Sequence, residues 1–313
     1  MSRNEFLLLV AACVVWALHY SVAKLAVESA PPLFYGAMRM MLLALVLAPL
    51  LKIHFGRMRR ILAAGLCLGG INFALFFVGM TYASPSAAAI ATQLGAPFAA
   101  LLSVLILGER IGWRRILGIS AAFLGVAMIS FKPETTALDI GVVIVAASIL
   151  LEAVGAIFVK QLTGIPPLRL QAWFGVIGAV TLASLSAVFE QGQLRALAEG
   201  GPALFGMVAF SALGASLFSF SIYYWLLQRH DVSHVAPATL MTPVMAIGFG
   251  VVLIGDAITP IMAAGAATTL AGVAVVMLRS GARRDRVIEA DASPQPVPAS
   301  TEVIERQSHD ADQ

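Results

Sequence analysis

The sequence predicts an all-α integral membrane protein: ten transmembrane helices arranged as two inverted five-helix repeats. Three observations predict it. Of the 313 residues, 59% are hydrophobic and only 12% are charged, and the mean hydropathy is +0.90. A soluble globular chain carries about 25% charge, so half that amount leaves too little polar surface to coat a body of this size. Long apolar runs recur along the chain, and the landmarks of its first half return in its second.

A spanning helix needs about 20 mostly apolar residues. The chain offers ten such runs, at roughly 6–27, 33–51, 61–81, 85–107, 112–131, 139–160, 168–189, 202–227, 233–254 and 260–279. Turn residues or charge mark the breaks: Ala30-Pro31-Pro32, Lys52 to Arg60, Ser84-Pro85, Gly108 to Arg115, Lys132-Pro133-Glu134, Gly164 to Pro167, Gln191 to Gly201, Gln228 to Asp231 and Thr259-Pro260. The first run follows Arg3 as a signal peptide would. It is too long for an h-region, and Ser29-Ala30-Pro31-Pro32 is a poor cleavage site, so it reads as an uncleaved span.

Charge sets the orientation. With the N-terminus inside, the cytoplasmic segments hold Arg3; Lys52, Arg57, Arg59 and Arg60; Arg110, Arg114 and Arg115; Lys160 and Arg169; Arg229; and Arg279, Arg283, Arg284 and Arg286. The opposite side keeps Lys24, Lys132 and Arg195, so 15 basic residues face 3. That bias follows the positive-inside rule and puts both termini on the cytoplasmic side of the membrane. Nothing in this charge distribution calls for nucleic acid. Residues 280–313 turn to Pro, Ser and mixed charge (Pro294, Pro296, Pro298), a tail with nothing to bury. Cys13 and Cys67 lie in apolar runs and read as free buried thiols.

The repeat is visible in matched landmarks. Trp16 to Lys24 and Glu152 to Lys160 both run into a lysine, at an offset of 136. Pro31-Pro32-Leu33 meets Pro166-Pro167-Leu168 at 135, and Ala91 to Pro97 meets Pro237 to Pro243 at 146. Gly108-Glu109 meets Gly255-Asp256 at 147, as Gly118 meets Gly265 and Gly125 meets Gly272. The organisation is therefore 1–132 for the first copy (spans 1–5), 139–279 for the second (spans 6–10), and 280–313 for a disordered cytoplasmic tail. Five spans is an odd number, so the copies lie inverted. Inverted repeats are a transporter signature, with a binding site near midplane between the halves.

These residues carry a family resemblance. The chain resembles the drug/metabolite transporter superfamily with two EamA domains, over about residues 5–279. The resemblance rests on Trp16 through Lys24, Pro31-Pro32 followed by Arg39, Pro97 through Leu107-Gly108-Glu109-Arg110, and Gly118 through Gly125. In the second copy it rests on Val235-Ala236-Pro237, Pro243 and Gly255-Asp256. Within the superfamily it is most similar to exporters of amino acids and related metabolites, of the cysteine and O-acetylserine type. That resemblance implies a small-molecule substrate and no cofactor or metal. The sequence departs from the pattern at Asp256, where Glu is usual, and at Glu152, where an apolar or aromatic residue is usual.

Polar residues inside the spans mark the candidate site. Glu152 lies within two or three residues of the middle of span 6, only ~3–5 Å from midplane at 1.5 Å per residue. An acidic side chain there costs about 2.5–3.5 kcal/mol, so such residues usually face a cavity or a partner and mark proton or ion pathways. Ser148, Glu152 and Gly155 make one small, polar stripe. The alternative is a structural carboxylate bonded to a neighbouring helix. His19, with Trp16 one turn away on the same face, can titrate near neutrality, bind substrate or simply pack. Spans 1 and 6 are repeat mates, so His19 and Glu152 are expected at one site.

Arg39, about six residues into span 2, reads as a structural ion-pair or interfacial residue. Span 3 offers Asn72. Span 4 offers Gln93 beside Pro97, with Thr239 and Pro243 as mates in span 9, and each proline frees a carbonyl one turn earlier. Span 8 carries Ser216, Ser219 and Tyr223 on one face, then Tyr224 and Trp225 for an interfacial belt. Gly118, Ala121, Ala122 and Gly125, with Gly265, Thr268 and Gly272, form small seams for close helix packing or a homodimer surface.

The reading is a secondary transporter of amino acids or related metabolites, exporting them by alternating access. Membrane lipid surrounds it, and protons or simple facilitated diffusion supply the driving force. No Gly-rich loop with Lys-Ser/Thr is present for ATP hydrolysis. An intramembrane enzyme needs a nucleophile elbow or paired metal-binding histidines, and His-Glu-x-x-His and Gly-x-Ser-x-Gly are both absent. A structural or sensory membrane protein is the remaining alternative.

Overall fold

The computed structural model of the chain describes residues 2–107, 112–132, 137–227, 229–230, 235 and 238–292. Apolar composition makes these residues almost entirely helical. Ten apolar helices are described: α1 (Arg3–Ser29), α2 (Pro32–Leu50), α3 (Met58–Tyr82), α4 (Pro85–Leu105), α5 (Trp113–Ser130), α6 (Ile140–Lys160), α7 (Pro167–Phe189), α8 (Gln193–Tyr223), α9 (Met241–Ile254) and α10 (Pro260–Ala292). Nine of these are long and apolar enough to cross a membrane, and α9 is the shorter one. A two-residue antiparallel ladder pairs β1 (Phe131–Lys132) with β2 (Ala137–Leu138) between α5 and α6. In lipid every backbone polar group needs an internal partner, which is why the spanning elements are helices. Large apolar side chains such as Leu45, Leu105, Val180, Val188 and Val252 are exposed, as suits a surface that faces hydrocarbon.

Two boundaries differ from the sequence reading. Residues 191–201, expected as a loop, turn helical at Gln193, where Gln193 Nε2 donates to the Glu190 and Ser186 carbonyls and Arg195 pairs with Glu199 at 2.8 Å. This helix joins the spanning part of α8 at Gly201, whose φ of 51° only glycine adopts readily. α10 continues to Ala292, through residues 280–292 expected in the tail, because the first helix-breaking proline there is Pro294. The start of the expected ninth span, the Gly108-Glu109-Arg110 motif and residues 293–313 lie outside the described residues.

Packing is reciprocal between the halves. α1 packs on α8 and α9, while α6 packs on α3 and α4. α2 packs on α7, and α5 on α10. Under an exchange of spans 1–5 with spans 6–10, these pairings map onto themselves.

The α5–α10 seam shows why small residues stand there. A Cβ on Gly125 would meet the Gly265 carbonyl oxygen at 2.5 Å, and one on Gly272 would meet the Gly118 oxygen at 2.5 Å. The sequence reading offered these residues for close helix packing or a dimer surface, and the structure uses them for the first, where two helix backbones of one chain touch.

Helix geometry is irregular at matched places. π-helical turns occupy Leu66–Gly70 in α3 and Phe210–Phe218 in α8, and a third, Gly250–Ile254 at the end of α9, has no π-helical mate in α4. A 3-10 turn interrupts α4 at Thr92–Leu94, and in the second copy Thr239-Leu240 form a turn before α9 begins at Met241. Pro97 and Pro243 stand just after these two interruptions. A proline ring clashes with the preceding turn and removes its donor, so the helix loosens there.

Candidate functional site

The broken segments enclose a cavity of about 300 Å³. Trp16, His19 and Tyr20 reach it from α1, Arg39 from α2, Asn72, Phe73 and Phe76 from α3, and Thr92 and Gln93 from the break in α4. Ile149 and Glu152 of α6 line it, with Ala215, Phe220 and Tyr223 of α8 and Thr239 and Thr242 at the break before and within α9. Both halves of the chain contribute.

Several of these groups are already engaged. The Trp16 indole N–H donates to the Ala215 carbonyl at 3.0 Å, within the π-helical part of α8, and its ring meets Phe220 and Tyr223 edge-on at 5.2 and 5.7 Å. Thr92 gives its hydroxyl proton to the Ala89 carbonyl, leaving its oxygen to accept from Tyr20 at 2.7 Å. Asn72 Nδ2 donates to the Ser148 carbonyl at 2.7 Å, one turn before Glu152. Trp16 therefore offers an aromatic face, and Asn72 keeps its carbonyl oxygen.

Other groups are unspent. Gln93 and Glu152 have no hydrogen-bond partner among the described residues, and Glu152 is exposed where it lines the cavity. His19, 7% exposed, stacks on Phe76 at 6.2 Å and leaves Nε2 without a partner. A buried polar atom without a partner costs free energy, so the cavity presents groups that water or a solute would satisfy.

Seven of the eight sequence-predicted residues meet at this cavity: Trp16, His19, Asn72, Gln93, Glu152, Tyr223 and Thr239. Ser219 does not line it. Its hydroxyl is fully buried against α1 and bonds the Ala12 and Gly214 carbonyls. Arg39 is not interfacial and has no ion pair among the described residues; it is 2% exposed inside the bundle. Sequence reasoning missed Tyr20 and Thr92. Tyr20 lies one turn from Trp16 on the same helix face, a signal that was legible. No group of three potential metal ligands occurs among the described residues.

A second cavity, of about 510 Å³, shares Asn72, Phe73, Glu152 and Phe220 with the first. It runs past Val159, Lys160, Leu162 and Thr163 to Pro167 and Gln171, at the α6–α7 connection. At that end Arg57 Nη1 donates to the Thr163 carbonyl at 2.7 Å, and Trp173 donates to the Lys52 carbonyl at 3.0 Å. Different connections close together elsewhere. Lys24 Nζ donates to the Met80 and Thr81 carbonyls at 3.0 and 3.1 Å. The Glu190 carboxylate accepts from Leu33 and Phe34 N–H, and Asp256 accepts from Ser86 N–H and Oγ. Carboxylates at the N-termini of α2 and α4 satisfy free amides and the helix dipole together.

The sequence and fold of this chain have known counterparts. The EamA-like transporter family model matches residues 4–131 and again residues 139–278. The chain is 25% identical to a probable amino-acid metabolite efflux pump of Escherichia coli (strain K12), over 82% of this chain and 89% of that one. It is 24% identical to an uncharacterized transporter of Archaeoglobus fulgidus, over 81% and 91%. One crystal structure superposes with a TM-score of 0.60 over 91% of this chain and 100% of that one; at 18% identity the likeness is one of fold. With two matched copies covering nearly its whole helical part, the chain belongs to the EamA-like transporter family.

Proposed function

We propose that this transporter is a secondary exporter of amino acids or related small metabolites in the bacterial inner membrane, working by alternating access and coupled to protons. Both termini are cytoplasmic, and the two five-span copies lie inverted. Trp16, His19, Asn72, Gln93, Glu152, Tyr223 and Thr239 bind the substrate or couple its movement. One observation carries the reading: a cavity between the copies, lined by two broken helices and an unsatisfied carboxyl. Discontinuous helices at corresponding places in two halves are the best pointer to a transporter's binding site. The names of the relatives in Escherichia coli and Salmonella typhimurium supply the substrate class.

Alternating access draws support from an asymmetry. Lys24 and Lys160 are mates at the offset of 136. Lys24 is half-buried and ties α1 to the end of α3, while Lys160 is exposed at the mouth of the second cavity. In the opposite state the roles exchange: Lys24 releases and Lys160 ties α6 to the end of α8. Glu152, on the wall shared by both cavities, is the group that exchanges protons.

The test is flux in proteoliposomes, with a panel of radiolabelled amino acids and metabolites, with and without an imposed pH gradient. Gradient-driven accumulation of one class is expected. Flux that ignores the gradient removes proton coupling, and no flux for any solute sinks the reading. Impermeant thiol reagents check the topology, with Ala137→Cys labelled from outside and Arg57→Cys from inside; labelling of both from one side overturns it.

A further inference from the structure

We propose that Arg39 is the anion-binding residue of the central cavity and that, with Glu152, it selects substrates carrying both a carboxylate and an ammonium group. The inference rests on the transport reading and names the ligand chemistry of its site. A guanidinium is always charged and carries five N–H donors. In α2 that charge is 2% exposed and no acidic side chain pairs with it among the described residues. Nη2 donates to Ser216 Oγ at 2.7 Å and Nε to the Ser211 carbonyl at 3.3 Å, while Nη1 is buried without a partner. The cation lies over the Phe73 ring at 4.2 Å and 5.7 Å from the Phe77 ring. Aromatic faces stabilise such a cation, yet they leave the donor edge unsatisfied. A buried structural arginine is ordinarily paired. This one lines the cavity instead.

The opposite charge lines the same cavity. Phe73 lies under Arg39, and its neighbour in sequence, Asn72, is bonded to the turn of α6 that precedes Glu152. One helix thus touches Arg39 with one residue and the Glu152 turn with the next. Arg39 and Glu152 line the same cavity without pairing with each other. A zwitterion satisfies both, its carboxylate on the guanidinium and its ammonium on the carboxylate, with an apolar body among Trp16, Phe76 and Phe220. A ligand lacking either charge leaves one of the two cavity ions unpaired, Arg39 buried and Glu152 on the cavity wall, and that penalty gives selectivity.

The experiment measures binding and flux separately. Trp16 fluorescence in purified protein reports binding of L-leucine, L-methionine and L-phenylalanine, and of the α-amide and N-acetyl form of each; Trp16→Phe identifies the responding signal. Wild type is expected to prefer the free acid over both derivatives by about 10- to 100-fold, the range of a charge-assisted hydrogen bond. In Arg39→Gln the preference for acid over amide should vanish while acid over N-acetyl survives. Glu152→Gln should show the reverse, and Arg39→Lys, which keeps the charge and loses the fork, an intermediate preference. If Arg39→Gln weakens acid and amide alike, Arg39 only braces α8 and the proposal fails while transport stands. If wild type binds N-acetyl forms as well as free acids, the site is a simple anion site and the zwitterion assignment fails. If wild type moves none of the panel in proteoliposomes, the transport reading fails. The titration still decides on Arg39, since no acid preference in wild type overturns it.

Discussion

The two halves of this chain agree in packing and disagree in chemistry. Their helices pair reciprocally, the π-helical turns of α3 and α8 and the broken helices fall at corresponding places, and their glycines meet across one seam. At the cavity the correspondence stops. Trp16 of the first copy stands where the second has Glu152, at the offset of 136. Arg39 stands where the second has Phe174, at 135, and Gln93 where it has Thr239, at 146. A duplicated fold needs equal backbones, because helix contacts constrain both copies in the same way. A bound molecule has no such symmetry, so its ligands diverge. Each copy contributes one charged side chain to the cavity, and neither copy has both.

The largest expected effect tests the shared part. Gly125→Val and Gly272→Val each push a side chain into the backbone of the facing helix. Overpacking costs about 1–3 kcal/mol, and more where the obstacle is backbone. Both variants should lose folded yield and thermal stability to a similar degree, measured by fluorescence-detected size exclusion. A loss in one alone breaks the equivalence of the copies.

The next effect tests the divergent part. Glu152→Gln keeps the shape of the side chain but cannot release a proton. With a gradient of one pH unit, a proton-coupled carrier accumulates substrate up to about tenfold per proton. In Glu152→Gln that ratio should fall to about one, while exchange persists and Glu152→Asp keeps a pH response. Trp16→Phe, at the mate position, should weaken binding and keep the coupling. Wild-type pH dependence in both Glu152 variants shows the carboxyl to be structural.

Legibility in the sequence divided along the same line. Axial position is written in it: apolar length marks the spans, and Pro97 and Pro243 mark the interruptions that line the cavity. Radial direction is written only where the helix is regular. The spacing of Ser216, Ser219 and Tyr223 presumes regular turns, yet Phe210–Phe218 is π-helical. Ser216 lies within that stretch, so its step to Ser219 is not a regular turn; Ser219 meets α1, while Phe220 and Tyr223 in the regular helix after it reach the cavity. Arg39 misled for a related reason. Six residues from a span end reads as interfacial, but its neighbours in the fold are Ser211, Ser216 and Phe73, all distant in sequence.

Ser219→Ala tests that placement directly and should have a small effect. The side chain bonds the Ala12 carbonyl across the α1–α8 contact. Such interhelical bonds in membranes are worth about 0.6 kcal/mol, so stability should dip slightly and substrate affinity stay as in wild type. A clear loss of affinity returns Ser219 to the cavity.

The smallest effect belongs to the part that matches neither copy. The family match ends at residue 278 and the helix of α10 at Ala292, after which Pro294, Pro296 and Pro298 interrupt a polar, charged stretch. That composition has no apolar face to dock on the bundle. Chain truncated after Ala292 should therefore insert, remain as heat-stable as the full chain and transport at an unchanged rate. Heat stability and flux are read together, because they separate two failures. A fall in stability with flux per folded molecule intact means that the tail braces α10 and, through its glycine seam, α5. A fall in flux at unchanged stability means that it acts on the transport cycle, and then the two copies do not complete the machine.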